Sequence, residues 1–509
     1  MPSDTTKTTL RRKPNLKVNP PVFFTSAFLL LLFLSIAVFF TEEAADFFPR
    51  LLERVSTLGG WIYVVSIVAF IGLALWLLLG PHAGILLGKE GDEPAFPLLS
   101  WFAMLFSAGM GIGMVFYGVA EPVLHYTALP GVPPQSPEAA ARAVPVALFH
   151  WGIHAWATYL LLGLSIAYFS FRKGLPLALR SCLHPVLGDR IYGVAGHAVD
   201  ILAVFGTLFG LATSLGLGAM QISAGLRHVF GIPHGTETQL ILIGGITVVA
   251  VISLVSGVHR GIRRLSELNL LMASLLLLFV FVVGPTGHLV LSLGENLVGY
   301  GRQLLTRTFA FDLLRGEAAE WSRSWTIFYW GWWIAWAPFV GMFVARISRG
   351  RTIREFVLGV LLVPTAVAAV WFTVFGNTAL HLEMATGGIS QAVSRDVATA
   401  IYVVLDRLPL ASLTSAMAAL VVGIFFVTSS DSASFVVDML TSGGHPNPPR
   451  WQRVFWASAE GACAAVLLYA GGRDALTALQ AVVVSIGLPF CLVLVVIGGG
   501  LVLTIRKEE

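Results

Sequence analysis

The chain has 509 residues, of which 56% are hydrophobic and 12% are charged, and its formal net charge is +4. An average soluble domain carries about 25% charged residues, so this composition excludes a water-soluble protein and indicates one that crosses a membrane several times. The small and dispersed positive charge excludes nucleic acid as a partner. Cys182, Cys463 and Cys491 stand far apart, which excludes a disulfide framework and a cysteine metal site.

Twelve apolar segments are long enough to cross a bilayer, which needs about 20 helical residues. The first follows basic residues 11–13, as the apolar part of a signal peptide would, but Glu42 and Glu43 come directly after it without a cleavage site. We therefore expect it to be retained as a spanning helix. The predicted spans, numbered first to twelfth, are residues 22–41, 60–80, 96–119, 144–169, 199–223, 239–258, 267–291, 325–345, 356–376, 410–436, 453–471 and 476–505.

Basic residues alternate between the loops and set the orientation. Cytoplasmic loops are rich in Lys and Arg, whereas the opposite loops here carry acids such as Glu42, Glu43 and Asp46. We predict a multi-pass protein of the plasma (inner) membrane whose short tails, 1–21 and 506–509, are both cytoplasmic. The basic residues on that side are Arg172, Lys173, Arg180, Arg190, Arg260, Arg263, Arg264, Arg346, Arg349, Arg351, Arg354, Arg450, Arg453, Arg506 and Lys507.

Counting the spans predicts an internal repeat. Segment 292–324 mixes charged and apolar residues at helical spacing, so we expect an amphipathic helix along the outer membrane surface. It separates two five-span blocks, 96–291 and 325–505, which follow two additional spans in 22–95. Five is odd, so the second block enters the membrane upside down, and transporters of this kind hold substrate beside the broken first helix of each block. The predicted fold class is an all-α integral membrane protein with twelve transmembrane helices and two inverted five-helix repeats.

The first helix of the first block contains the sequence SAGMGIGMVFYG. Glycine destabilises a helix interior by about 1 kcal/mol relative to alanine, so Gly109, Gly111 and Gly113 favour local unwinding. Close helix packing through small residues is the alternative, but it favours a spacing of four rather than two. Unwound backbone within a membrane must line a cavity or the protein interior.

The first helix of the second block contains FYWGWWIAWAPFVG. Pro338 has no N–H to donate, so we expect it to interrupt the helix just after the tryptophans. At 100° per residue, Trp332, Trp333 and Trp336 share one face. In the fourth span, Trp151, Trp156 and Tyr159 also share a face.

We call these six side chains the aromatic cage. Tryptophan is common in belts at the membrane interface, but Trp332 to Trp336 lie near the middle of their span, too deep for such a belt. Proteins bind a quaternary ammonium, which cannot donate hydrogen bonds, against the faces of several aromatic rings. No Asp or Glu lies in either aromatic stripe. The sequence therefore predicts a site for an N-methylated cationic group.

Two polar features are more simply explained by structural roles than by chemistry. His150 and His154 are one helical turn apart, but no nearby carboxylate or cysteine supplies a third metal ligand, so a structural role is expected. Asp431 could be an intramembrane proton relay, although pairing or capping near the cytoplasmic surface is the simpler interpretation.

Four sequence segments together resemble motifs of the betaine/choline/carnitine transporter family. They are AGMGIGMVFYGVAEP at 108–122, FHWGIHAWATY at 149–159, WTIFYWGWWIAWAPFVGMFVARISRGRTIREF at 325–356 and FFVTSSDSA at 425–433. They occur in the family's order, and the twelve-span plan covers nearly all of the chain. The resemblance implies the LeuT-like arrangement of the repeats, no cofactor, no enzymatic activity and assembly as a homotrimer in the lipid bilayer.

The resemblance also implies which residues bind substrate and sodium. Substrate would contact the aromatic cage and the backbone of the glycine segment, namely Trp332, Trp333, Trp336, Trp151, Trp156, Tyr159, Gly109, Met110, Gly111, Ile112 and Gly113. The coupling ion would be sodium, held by Ser107, Met110, Phe425, Thr428 and Ser429, with a second ion less firmly assigned to Thr207 and Phe339. Leu211 departs from the hydroxyl expected one turn after Thr207, which puts the second ion in doubt.

Gly113 bears on the choice of substrate. Choline-type, proton-coupled members of the family carry an acid at this point, whereas glycine leaves the site neutral and suits a zwitterion. Sodium symport of glycine betaine is the predicted function. Proton-coupled choline transport, sodium-independent carnitine-type transport and related methylated zwitterions remain alternatives, and a channel or a membrane enzyme is a rival from another class.

Overall fold

The computed structural model describes residues 18–109, 111–256, 259–309, 316, 318–445 and 448–508. Most of the predicted N-terminal tail 1–21, together with Met110 and Glu509, lies outside these ranges. Within them the chain is helical and forms no β-strand, only a single bridge between Leu86 and Thr352. Eleven helices are long and apolar enough to cross a membrane.

Each of these eleven corresponds to one predicted span, and the third predicted span is present as two shorter helices. The observed bounds, in order, are Pro20–Phe39, Thr41–Leu79, Leu98–Gly109 with Ile112–Ala128, Pro137–Arg172, Val194–Phe230, Thr236–Ser256, His259–Val283, Ala318–Ile347, Ile353–Thr386, Ala411–Thr441, Arg450–Gly471 and Ala475–Ile505.

Several helices extend beyond the apolar runs that predicted them. The second begins at Thr41 rather than near residue 60, and Arg50 pairs with Asp46 one turn earlier in this added part. Such pairs at i,i+4 support helix outside the apolar region. The fourth span bends at Gly152, whose φ of −94° and ψ of −134° separate two helical segments.

The helix between the two blocks is Thr286–Arg307, which begins earlier and ends earlier than the predicted segment 292–324. Its Tyr300 hydroxyl accepts a hydrogen bond of 2.8 Å from the backbone N–H of Ile153, next to the bend at Gly152. A Cβ on Gly152 would lie 2.3 Å from the Tyr300 oxygen, so glycine is required there for this contact. The placement of this helix along the membrane surface stays a prediction.

Contacts between the two blocks come in exchanged pairs. The fifth span packs against the tenth and the sixth against the eleventh. The fourth contacts the eighth as the ninth contacts the third, and the seventh contacts the tenth as the twelfth contacts the fifth. Two repeats related by an axis in the membrane plane produce this pattern.

Burial identifies the centre of the bundle. The most apolar windows of the fourth, fifth and eighth spans are 94%, 83% and 83% buried, whereas those of the sixth and seventh are 17% and 22% buried. Spans that are apolar all round but mostly exposed suit a lipid-facing position. The fourth and eighth spans, which carry the predicted aromatic cage, therefore lie in the protein interior.

Candidate functional site

The third span is interrupted where the glycines predicted it. One helix ends at Gly109 and the next begins at Ile112, with Gly111 between them in an extended conformation (φ −163°, ψ −179°). The Trp371 indole N–H donates to the Met114 carbonyl at 3.0 Å, in the first turn of the second helix. Side chains from another span therefore hold the backbone just beyond the interruption.

The eighth span is not interrupted, and the prediction of a break at Pro338 is wrong. The helix Phe328–Ile347 runs through this proline, following a π-helical segment at Arg323–Ile327. Proline removes one backbone hydrogen bond and disturbs the preceding turn, but transmembrane helices tolerate it where neighbouring helices pack around it. Here Ala337 and Pro338 are buried.

A central cavity of about 160 Å³ lies between the third, fourth, fifth, seventh, eighth and tenth spans. This is room for one small solute or several water molecules. It brings together most of the predicted site. The predicted residues that line it are Ser107, Gly111, Ile112, Gly113, Trp151, Trp156, Tyr159, Trp332, Trp333, Trp336, Phe339, Phe425, Thr428 and Ser429.

The cage rings are packed at right angles or in stacks. Trp332 and Trp333 stack with centroids 4.9 Å apart at 12°, and Trp151 stands edge-on to Trp333 at 4.8 Å and 70°. Trp156 and Tyr159 form a second edge-to-face pair at 5.2 Å. Aromatic pairs favour such geometries because of the ring quadrupole, and all six rings line the cavity.

Gly113 has a steric role that the sequence did not show. A Cβ at this position would lie 2.7 Å from Cη2 of Trp332 and 3.0 Å from Cη2 of Trp151. Gly111 differs, because no atom lies within 4 Å of a Cβ placed there. Glycine at 113 therefore admits the two rings, whatever its effect on the charge of the site.

The indole N–H groups divide into two classes. Trp151 Nε1 donates to the Glu121 carboxylate and Trp333 Nε1 donates to the His150 carbonyl, each at 2.9 Å. Trp332 Nε1 and Trp336 Nε1 are buried and have no partner among the described residues. A buried donor without a partner costs free energy, so these two groups have unused hydrogen-bonding capacity beside the cavity.

The prediction that no carboxylate lies near His150 is wrong. Glu121, fully buried in the third span, accepts hydrogen bonds from Trp151 and Tyr329, and its Oε1 lies 2.7 Å from His150 Nδ1 and 3.1 Å from His125 Nε2. His154 is separate, with Nε2 at 2.8 Å from the Thr308 hydroxyl. The helical positions 121 and 150 are distant in sequence, so the sequence could not show that they meet.

Glu121, His125 and His150 offer ligand atoms within 4.8 Å of one another, a spacing that a metal ion could use. These atoms are already bonded to each other, and Nε2 of His150 lies 3.1 Å from the Thr326 hydroxyl. A metal would displace this network. We therefore treat the cluster as a hydrogen-bonded support of the cage.

Hydroxyl groups of the tenth span line the cavity opposite the interruption of the third. Thr428 donates to the Ile424 carbonyl at 3.0 Å and keeps its lone pairs, while Ser429 lies beside it. Ser107 lines the same cavity from the first half of the third span. Hard oxygen ligands of this kind suit a small cation.

Thr207, named for a second sodium ion, is not among the residues that line this cavity. Its hydroxyl donates to the Ala203 carbonyl of its own helix at 2.9 Å, and Leu211 one turn later is buried. The assignment of Thr207 stays untested. Met110, named for substrate and sodium, lies outside the described residues, and of Gly109 the structure describes only the backbone, at the end of its helix.

Asn269 of the seventh span is a site residue that sequence reasoning missed. It lines the cavity, is 1% exposed, and neither its Nδ2 nor its Oδ1 has a partner among the described residues. A buried amide without partners costs free energy, which a ligand in the cavity can recover. A polar side chain in an apolar span was the available signal.

A second cavity, of about 440 Å³, shares Phe339, Phe343 and Ser432 with the central one. Arg346 and Asp431 line it on the side that is predicted to be cytoplasmic. Asp431 lines this second cavity and does not line the central one. The two cavities adjoin each other through the three shared residues.

Comparisons with known proteins agree with this architecture. The chain matches the model of the betaine/carnitine/choline family of transporters over residues 21–509. It is similar to a glycine betaine transporter of Bacillus subtilis, with 45% identity over 88% of this chain and 87% of the relative. A glycine betaine transporter of Vibrio parahaemolyticus is 43% identical over 97% and 94%.

A further relative from Vibrio parahaemolyticus, described as a glycine betaine/proline/choline transporter, is 39% identical over 94% of this chain and 89% of its own length. The family model spans nearly the whole chain, and the sequence identity of these relatives to the chain is higher than membership of one family requires. The twelve-span bundle, its central cavity and these matches lead to one conclusion: the chain belongs to the betaine/carnitine/choline family of transporters.

Proposed function

We propose that the protein imports a quaternary-ammonium zwitterion, glycine betaine, by sodium symport through alternating access. The observation that carries this proposal is the central cavity itself. The six side chains of the aromatic cage line it, and none of its described lining residues is charged. Such a surface attracts a cation that cannot donate hydrogen bonds. A site without charged residues suits a zwitterion, because that ligand carries a negative group as well as a positive one.

The carboxylate of the substrate needs hydrogen-bond donors, which the cavity offers away from its ring faces. The interruption of the third span exposes backbone at Gly111, and Asn269 has an amide without a partner. A carboxylate bound there would satisfy the amide N–H group. This arrangement favours glycine betaine over choline, which has no carboxylate.

Sodium coupling is supported by the hydroxyl groups of Ser107, Thr428 and Ser429, which line the same cavity from the two halves of the site. An ion bound between the third and tenth spans would hold together helices from both repeats. Each sodium that moves inward contributes about 2.3 kcal/mol per 100 mV of membrane potential. Such coupling would drive accumulation of a solute with no net charge.

Alternating access is supported by the cavities. The central cavity joins a second one on the predicted cytoplasmic side through Phe339, Phe343 and Ser432. We propose that the second cavity is the cytoplasmic end of the transport path. Another conformation would close this route and open one on the other face.

We further infer a homotrimer, with the helix Thr286–Arg307 at the subunit contacts. Its Leu291, Val298 and Leu305 are exposed and apolar although the helix is otherwise rich in polar residues. Native mass spectrometry of the protein in a mild detergent would give three chains per particle. A monomer that transports betaine normally would contradict this part of the proposal.

The function is tested by uptake into proteoliposomes. Labelled glycine betaine is offered with an inward sodium gradient, with potassium in place of sodium, and with excess choline, carnitine or proline as competitor. We expect saturable uptake that requires sodium and is inhibited most strongly by unlabelled betaine. Equal uptake without sodium, or stronger inhibition by choline or proline than by betaine, would contradict the proposal.

A further inference from the structure

The second half of the third span carries one continuous stripe from the cavity to a buried carboxylate. Gly113, Tyr117, Glu121 and His125 are spaced by four residues, so they follow one another along one face of the helix Ile112–Ala128. Gly113 meets the cage rings, and the Tyr117 ring lies 6.3 Å from that of Trp151. Glu121 comes next and is fully buried.

Four donors surround this carboxylate. Oε2 accepts from the Trp151 N–H at 2.9 Å and from the Tyr329 hydroxyl. Oε1 lies 3.1 Å from His125 Nε2 and 2.7 Å from His150 Nδ1. An ionised carboxylate can accept about four hydrogen bonds, whereas the indole N–H can only donate.

The histidines fit this arrangement as neutral donors. If Nδ1 of His150 donates to Glu121, its Nε2 is free to accept from the Thr326 hydroxyl at 3.1 Å. If Nε2 of His125 donates, the atom left without a partner among the described residues is Nδ1, an acceptor. Burial disfavours the charged form of Glu121, whereas four donated hydrogen bonds favour it, because charge-assisted hydrogen bonds are the strong ones.

An aromatic ring and a cation lie next to the two histidines. Trp321 lies 5.4 Å from the His125 ring and 5.8 Å from the His150 ring, and the Arg307 guanidinium lies 5.1 Å from the Trp321 ring centroid. Contacts thus connect Trp151 to Glu121, Glu121 to the two histidines, and the histidines to Trp321.

Glu121 also supports the rest of the aromatic cage. Tyr329, which donates to the same oxygen as Trp151, stacks on Trp333 with centroids 5.5 Å apart. His150 accepts the Trp333 N–H through its backbone carbonyl at 2.9 Å and stacks on Tyr329 at 4.8 Å. The Glu121 carboxylate thus contacts the cage ring of Trp151 directly. It also holds Tyr329 and His150, which both contact Trp333.

We propose that Glu121 is a specificity-determining positioning residue, whose buried negative charge acts through Trp151 to raise the preference of the cage for a cationic head group. An indole whose N–H is bonded to an anion is polarised toward a more negative ring face, since hydrogen bonds polarise one another in a low dielectric. A more negative face attracts a cation more strongly. Glu121 itself does not line the cavity.

This inference rests on the proposed cage and deepens it. The test compares two ligands of equal shape: glycine betaine and 3,3-dimethylbutanoate, which has carbon in place of the ammonium nitrogen. Calorimetric titration of the full-length protein in nanodiscs gives the dissociation constant of each. The ratio of the two constants measures the preference for the charge and is insensitive to losses that affect both ligands equally.

We expect the wild-type protein to bind betaine more tightly than the uncharged-head analogue. In Glu121→Gln this preference falls about tenfold, because the carboxylate charge is lost at nearly constant shape. Glu121→Asp keeps the charge and retains most of the preference, even where its shorter side chain weakens both ligands. Glu460→Gln removes another fully buried carboxylate, one that bonds Ser430 and Ser434, and leaves the preference unchanged.

A second pair of variants tests the same idea if Glu121→Gln fails to fold. Trp151→Phe keeps a ring but loses the link to Glu121, whereas Trp332→Phe loses an N–H that has no partner among the described residues. The preference falls more in Trp151→Phe than in Trp332→Phe.

An unchanged ratio in Glu121→Gln, whether the two affinities stay intact or fall in parallel, overturns the inference and leaves the proposed function standing. Equal losses of preference in the two phenylalanine variants do the same. A wild-type protein without preference for betaine overturns both the proposed function and this inference.

Discussion

The third and eighth spans occupy equivalent places in the two repeats, yet they build the site in different ways. The third is interrupted at Gly111 and brings backbone to the cavity, whereas the eighth is continuous through Pro338 and brings indole rings. A zwitterion has two ends, and backbone donors suit its carboxylate while ring faces suit its ammonium. In the proposed function, the two repeats therefore recognise opposite ends of the substrate from equivalent positions.

The difference also shows what interrupts a membrane helix. Alternating glycines both weaken the helix and allow other side chains to approach, as Trp371 does at Met114 and Gly118. A lone proline inside a helix that is packed on all sides costs one hydrogen bond, and the packing keeps the helix intact. Local unwinding followed glycine density here, and the proline did not produce it.

The largest effect is expected where the two spans touch, at Gly113. In Gly113→Ala the new methyl group collides with Trp332 and Trp151, and such overpacking costs about 1–3 kcal/mol. We expect betaine affinity, measured by calorimetry, to fall about tenfold or more. Gly111→Ala has open space for its methyl group and is expected to lose far less. Equal losses in the two variants would contradict the steric role of Gly113.

The next largest effect is expected on the affinity for sodium, which would bind between the interrupted third span and the tenth span. Thr428→Val removes a hydroxyl that lines the cavity and nearly preserves the shape of the side chain. We expect the sodium concentration for half-maximal uptake to rise about tenfold, because a buried ligand oxygen is lost. Thr207→Val serves as the comparison, and a similar rise there would favour a second sodium ion at Thr207.

A smaller effect is expected at the carboxylate end. Asn269→Ala removes an amide that lines the cavity without a partner among the described residues. Loss of one hydrogen bond to a charged group weakens betaine binding about fivefold or more. Inhibition by choline, which has no carboxylate, provides the internal control and stays nearly constant. If binding of choline and binding of betaine weaken equally, Asn269 does not bind the substrate carboxylate.

The smallest effect is expected at Pro338. Because the eighth span is already continuous, Pro338→Ala restores one backbone hydrogen bond without changing the path of the rings. Uptake stays within about twofold of the wild type, and the thermal unfolding temperature stays equal or rises. A large loss of uptake in a stable variant would show that the proline is needed for a conformational change.

Much of the fold could be predicted because the bilayer imposes it. Apolar length located the twelve spans, and the positions of the glycines located the interruption at Gly111. Helix ends outside the membrane were missed, as at Thr41 and Thr286, because amphipathic helix there does not need an apolar run. The break expected at Pro338 was wrong because tertiary packing overrode a local preference.

The site was predicted where residues lie in one helix and missed where separate helices meet. The tryptophan stripe followed from helical spacing alone. The contact of Glu121 with His150 joins the third and fourth spans, and no spacing rule reveals it. Both Glu121 and Asn269 nevertheless carried a signal, since a polar or charged residue inside an apolar span is a functional candidate by default.

The most direct test of the account is betaine binding to two variants of Trp332, a cage ring whose N–H has no partner among the described residues. Phenylalanine keeps a ring face, whereas leucine fills much of the space without one. In calorimetric titrations, Trp332→Leu is predicted to lose about tenfold in affinity and Trp332→Phe much less. Wild-type affinity in a well-folded Trp332→Leu protein would contradict the claim that ring faces hold the N-methylated group.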